Sequence, residues 1–218
     1  LGEKDFRWRG GEVSRLESLV DAVFAIAVTL MIVSREVPQN FQDFVNVMWT
    51  FPGFIITFTF LFMIWYAHYL FHRRYGLEDF KTVLLNSLLI FLILFYIYPL
   101  KFLASVLIGE MLINWTFGLN IDFGFTGPIH MRSLMLIYSA GYLMINLIIG
   151  LLYKHAYNHR ILLELNKTEE TITKFQIQVS LIMTFYALLS IIIASVAKSI
   201  FQISLSGWIY CGIGPTIF

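Results

Sequence analysis

Arg15 and Asp21 stand at the head of an apolar run, Ala22 to Ser34, with no further charge until Arg35. Ionisable groups at membrane depth are costly, so where they occur they mark a working site or hold a structure together. Beyond Asp21, the residues Ala22, Ile26, Thr29, Leu30 and Val33 fall within about a third of a helix circumference at about 100° per residue. Such a stripe can pack against neighbouring helices. If several copies meet around an axis, it can instead line a pore. Rings of Ile26 and Leu30 would then gate by dewetting, and a ring of Thr29 hydroxyls would replace part of an ion's hydration shell. No Thr-Val-Gly-Tyr-Gly segment occurs, so a carbonyl-lined potassium filter is absent.

A second set of polar residues belongs at the same depth. Trp65, His68, Tyr69 and His72 share one helical face, and Asn86 lies early in the next apolar run. Two readings are open. Asp21 can accept hydrogen bonds from Trp, His or Asn donors in a buried knot that fixes the first helix, or Asp21 or His68 can titrate and gate with pH. The pairs His68/His72 and His155/His159 have a four-residue spacing that could hold a metal or haem. No Cys, Asp or Glu adjoins either pair in sequence, so no metal and no cofactor is expected. No nucleophile, base and orienting group cluster either, so the chain does not read as an enzyme.

The elements that must position these residues are membrane helices. Hydrophobic residues make up 58% of the chain and charged ones 13%, and mean hydropathy is +0.75. Crossing ~30 Å of hydrocarbon takes about 20 mostly apolar residues, and in lipid such runs must be helical. The spacing of charges leaves six runs: 22–34, 44–72, 82–100, 133–153, 175–197 and 199–218. We therefore expect an all-α polytopic membrane protein of six transmembrane helices, residues 1–218 forming a single six-helix membrane domain. Lys4, Arg7, Arg9 and Arg15, then Arg73, Arg74 and Lys81, then Lys154, Arg160, Lys167 and Lys174 mark one side of the membrane. By the positive-inside rule both termini are cytoplasmic. The longest outer connection is expected at 108–130, where Asn114, Trp115, Gly118, Asn120, Asp122, Gly124 and Pro128 signal a loop. Arg7 and Arg9 lead into a retained helix with no small-residue cleavage site, so no cleavable leader is expected. A net charge of +1 supplies no basic face for nucleic acid. The lone Cys211 permits no intrachain disulfide.

At these residues the chain resembles the lysosomal potassium channel family, also called the transmembrane protein 175 family, and its bacterial members in particular. The family signature Arg-x-x-x-Phe-Ser-Asp followed by Ala-Ile-x-x-Thr-Leu stands here as Arg15, Leu19, Val20 and Asp21 followed by Ala25, Ile26, Thr29 and Leu30. Trp65 with His68, and Leu84-Leu85-Asn86, support the match through the third helix. The resemblance implies a homotetramer in the bacterial plasma membrane, lined by the first helix and passing K⁺ and other monovalent cations. Ile26 would be the constriction, Leu30 and Val33 the continuing apolar wall, and Thr29 the selectivity residue. The alternative is a secondary transporter or proton-linked carrier, which calls for broken helices, paired repeats and a midplane acid. Pro99 sits at a helix end and no acidic residue lies mid-run, so the pattern favours the channel.

Overall fold

The computed structural model describes residues 6–33, 37–49, 51–108 and 127–217, without the side chains of Ile32, Val33, Gln42, Asn46, Trp49, Leu107 and Ile108. Its helices are α1 (Arg15–Val33), α2 (Phe41–Trp49), α3 (Phe51–Tyr75), α4 (Phe80–Ile108), α5 (Pro128–Asn158), α6 (Lys167–Val196), α7 (Ile200–Trp208) and α8 (Ile213–Ile217). A 3₁₀ turn, Ile209–Gly212, joins the last two. Among the described residues, four helices, α3 to α6, are long and apolar enough to cross a membrane.

Several boundaries differ from the sequence expectation, two of them for a clear local reason. The run expected as one helix over 44–72 is two, α2 and α3, with Pro52 in the first turn of α3. A proline there lacks the N–H that a continuous helix would need, but it fits a helix start. The run expected over 82–100 continues to Ile108 as α4, through Pro99 and Lys101. Lys101 is accommodated because its Nζ donates to the Met31 carbonyl at 2.5 Å, satisfying one of the free carbonyls at the end of α1. The expected outer loop shrinks at its far end, since Pro128 already begins α5. Asn114, Trp115, Gly118, Asn120, Asp122 and Gly124 lie outside the described residues, as does Arg35.

Packing follows from small residues and short hydrogen bonds more than from hydrophobicity, which lipid supplies equally. Helices α5 and α6 lie along each other, with Ser139 and Ser190 sharing a buried hydrogen bond of 2.7 Å. The ring of Tyr96 on α4 fills the space over Gly141, where a Cβ would come within 2.2 Å of it. The Tyr96 hydroxyl then donates to the Tyr138 carbonyl at 2.8 Å. Against this base, α1 packs on α3 and α4 through Val20, Phe24, Ala27 and Met31, none more than 4% exposed. Their spacing of three and four residues is the seam of a helix buried along one side.

Candidate functional site

Helix α1 begins with a cap. The Glu17 backbone N–H donates to Ser14 Oγ at 3.1 Å, the first half of a Ser-x-x-Glu capping arrangement. The Glu17 carboxylate does not complete it. It is 4% exposed and pairs with Arg73 at the end of α3, at 3.4 Å. One turn on, Asp21 Oδ1 accepts from the Trp65 indole N–H at 2.8 Å. These two contacts fix the rotation of α1 against α3, and that rotation decides which residues face away.

The residues facing away are those of the stripe. Ala22, Ala25, Ile26, Thr29 and Leu30 are exposed, with Ile26 at 53% and Leu30 at 38%. Thr29 Oγ1 donates to the Ala25 carbonyl at 2.9 Å, so its hydroxyl hydrogen is engaged and its lone pairs remain on the open side. Val33 closes α1, and its side chain lies outside those described. Arg15 is exposed on the first turn.

The structure divides the second polar set in two. Asp21 and Trp65 form one pair, at the edge of an open groove of about 150 Å³ between α1 and α3 that is otherwise lined by Phe24, Ala25, Val28, Phe58, Leu61 and Phe62. His68 and Asn86 form the other, fully inside the bundle. Asn86 Nδ2 donates to the Thr82 carbonyl at 2.8 Å, which turns its Oδ1 toward His68 Nε2 at 2.7 Å. A carbonyl oxygen only accepts, so His68 carries its proton on Nε2. His72 is 3% exposed and its ring centre lies 4.4 Å from that of His68. Asp21 and His68 are therefore not joined directly. They lie on the two sides of α3, toward α1 and toward α4.

Sequence reasoning missed a clasp at the same end of the bundle. Phe6, 3% exposed, inserts edge-on against Tyr75 with ring centres 5.4 Å apart. The strap then runs back over the end of α3, where the Arg9 and Gly10 N–H groups both donate to the Arg73 carbonyl. Only glycine fits at position 10, because a Cβ would lie 2.5 Å from the His72 carbonyl oxygen. Gly76, at φ +57°, turns the chain out of α3 and under Arg9. Arg9 reaches Glu169 with both Nη atoms, at 3.2 and 2.7 Å, and Arg7 N–H adds a third bond at 2.7 Å. Glu169 also caps α6 reciprocally with Asn166. The side chains of Arg9 and Glu169 are 11% and 1% exposed. The available signal was the Asn166-Lys-Thr-Glu169 capping box, which marks Glu169 as more than a topology charge.

A further junction ties the α3–α4 turn to α5. Asp79 caps α4, accepting from the Thr82 N–H at 3.2 Å and from the Thr82 hydroxyl, and its Oδ2 meets His155 Nε2 at 2.7 Å. Partial burial alone would raise the Asp79 carboxyl. The bonds from Thr82 and His155 outweigh it and hold that group below the usual carboxylate range. The acid nearest His155 and His159 in sequence is Glu164, but the fold brings Asp79 to His155 from 76 residues away.

These features define a polytopic α-helical membrane protein whose first helix is clamped on one face and open on the other. Residues 15–97 match the family described as the endosomal/lysosomal potassium channel TMEM175. A potassium channel of Marivirga tractuosa is 39% identical over 193 residues, covering 87% of this chain and 77% of that protein. A second potassium channel, from Chamaesiphon minutus, is 30% identical over 108 residues, covering 44% of this chain and 52% of the relative. The crystal structure of a threonine-to-alanine variant of the potassium channel MtTMEM175, in complex with a nanobody–MBP fusion, superposes with a TM-score of 0.91. That match is 36% identical and covers 100% of this chain and 95% of the other. A lysosomal potassium-selective TMEM175 homologue from Chamaesiphon minutus, 20% identical with a TM-score of 0.52 over 91% and 96% of the two chains, shares the fold. The chain belongs to the TMEM175 potassium channel family, as a relative of its bacterial members. That family is one of ion channels and not a class of enzymes.

Proposed function

We propose that the chain is a passive, potassium-preferring cation channel that assembles as a homotetramer in the bacterial plasma membrane, with α1 of each copy lining the pore. The six spans would be α1, α3, α4, α5, α6 and the run from α7 to α8, with both termini cytoplasmic. One observation carries the reading. Ile26 is 53% exposed on a helix whose opposite face, at Val20 and Ala27, is fully buried. A stripe so held by its own subunit is presented to whatever lies outside it, and copies meeting around an axis would turn it into rings. The potassium channel names of the relatives support the choice of axis over lipid.

In this arrangement Ile26 forms the constriction and Leu30 and Val33 continue the apolar wall. Thr29 offers hydroxyl lone pairs to a passing ion, since its hydrogen is spent on Ala25. Gating is by wetting and drying of the isoleucine ring, so ions cross hydrated or partly hydrated and discrimination is modest. No metal or cofactor has a part in conduction. The deciding experiment is the reversal potential of purified protein in planar bilayers under a K⁺/Na⁺ bi-ionic gradient, followed by the same measurement on Ile26→Asn. A shift toward the potassium potential is expected, with higher conductance and weaker discrimination in the variant. An unchanged current in a folded variant would remove Ile26 from the pore.

A further inference from the structure

We propose that Asp79, His155 and His159 form a binding site for a borderline divalent transition-metal ion, zinc being the natural occupant, at the end of the bundle where α5 meets the α3–α4 turn. The ligand atoms of the three residues all lie within 4.8 Å of one another, and among the described residues no other group of three His, Cys, Asp or Glu does this. Tetrahedral zinc holds nitrogen and oxygen ligands at ~2.0–2.1 Å, hence about 3.3 Å from each other. His155 Nε2 and Asp79 Oδ2, at 2.7 Å, must part slightly to reach that spacing, and all the ligand atoms lie within 4.8 Å, in reach of it by small side-chain adjustments. Asp79 can make this adjustment, because its side chain is 42% exposed and is not locked by packing.

The surrounding bonds already orient the three groups as metal ligands require. His159 Nδ1 lies 3.0 Å from the His155 carbonyl oxygen. A carbonyl only accepts, so Nδ1 carries the proton and Nε2 is left with its lone pair. This is the outer-shell arrangement that ligating histidines commonly show. On Asp79 the Thr82 N–H and hydroxyl both engage Oδ1, which leaves Oδ2 for the ion. His155 Nε2 now donates its proton to Oδ2. The ion would take that position, with the neutral imidazole shifting its proton from Nε2 to Nδ1 so that Nε2 offers its lone pair, and the Asp79 carboxylate would offset part of the ion's charge.

The ligand types narrow the ion. Two imidazoles and one carboxylate suit Zn²⁺, Co²⁺ or Ni²⁺, whereas Mg²⁺ and Ca²⁺ select all-oxygen sites. Three protein ligands leave a fourth position for water, on the exposed side of Asp79. The consequence is mechanical. An ion there would clip the start of α4 to the end of α5. This inference is independent of how α1 lines the pore.

The test uses the full chain in detergent, free of any affinity tag and with the exposed thiol removed as Cys211→Ser. Zn²⁺ binding is measured by equilibrium dialysis, and Co²⁺ is used as a probe whose visible spectrum reports tetrahedral coordination. We expect one ion per subunit and a tetrahedral Co²⁺ spectrum. Excess Mg²⁺ should not compete, and His159→Ala should weaken affinity by about tenfold or more. Asp79→Asn, which keeps an acceptor for Thr82 and so the α4 cap, should weaken it similarly. Absence of binding to the parent protein, binding that both variants leave unchanged, or displacement by Mg²⁺ would overturn the proposal.

Discussion

The strap that precedes α1 and the outer face of α1 are neighbours in sequence and opposite in their chemistry. In the strap, Arg9 is half-buried and bound by the two oxygens of Glu169, and Phe6 lies beneath it in the core. On the helix, Ile26 and Leu30 are exposed, at 53% and 38%. A soluble protein would reverse these assignments, hiding the isoleucine and solvating the arginine. Here the charges bear the mechanical load and the apolar side chains are left available. If the open face of α1 lines the pore as proposed, stability and conduction are encoded in separate places, and substitutions should be able to separate them.

The largest effect is expected where the load is greatest. Glu169→Ala leaves the Arg9 guanidinium buried without its carboxylate and removes a cap from α6, and should cost about 3 kcal/mol or more. Thermal unfolding in detergent should show this as a large fall in midpoint. A midpoint within a degree of the parent would mean that the clasp does not bear on the bundle.

Trp65→Phe keeps an aromatic ring, though a smaller one, and removes the N–H from which Asp21 accepts. The half-buried carboxylate then lacks its donor, a cost of about 1–3 kcal/mol, smaller than the clasp because water can reach Asp21. If instead assembly and stability hold and only the pH dependence of current changes, Asp21 is a titrating gate and not an anchor.

Ile26→Asn inverts the pattern. Exposed on the protomer, it should shift subunit stability by no more than about 0.5 kcal/mol while altering conductance. A variant that unfolds with the parent's midpoint but conducts differently would confirm that the two functions are separable.

The smallest effect concerns Asp79. Its folded-state affinity for protons is lowered, so its contribution is present above the unfolded carboxylate range, near pH ~3.9, and is lost as pH falls through the folded value. The melting midpoints of the parent and Asp79→Asn should differ near neutrality and converge below about pH 4. A difference that persists into strong acid would show that another property of Asp79 is responsible.

Local pattern made much of this legible. Runs of apolar residues between charges marked the four helices long and apolar enough to cross a membrane, and helical periodicity set Ile26, Thr29 and Leu30 on one face of α1, the face the structure leaves open. Pro52 was also readable as a helix start, yet hydropathy alone ran through it. The depth argument set Asp21, Trp65, His68 and Asn86 at one level but could not say which would touch. Trp65 turned to α1 and His68 to α4, so one expected knot became two pairs.

What the sequence determined by itself is what backbone chemistry and periodicity enforce. Hydrocarbon does not solvate a free N–H or carbonyl, so long apolar runs must be helices, and a helix must repeat its faces about every 3.6 residues. Only the tertiary structure decided the partners. Arg9 meets Glu169 across 160 positions, and His155 meets Asp79 across 76. Such pairings depend on where the packed helices bring their ends together, and no local spacing carries that distance.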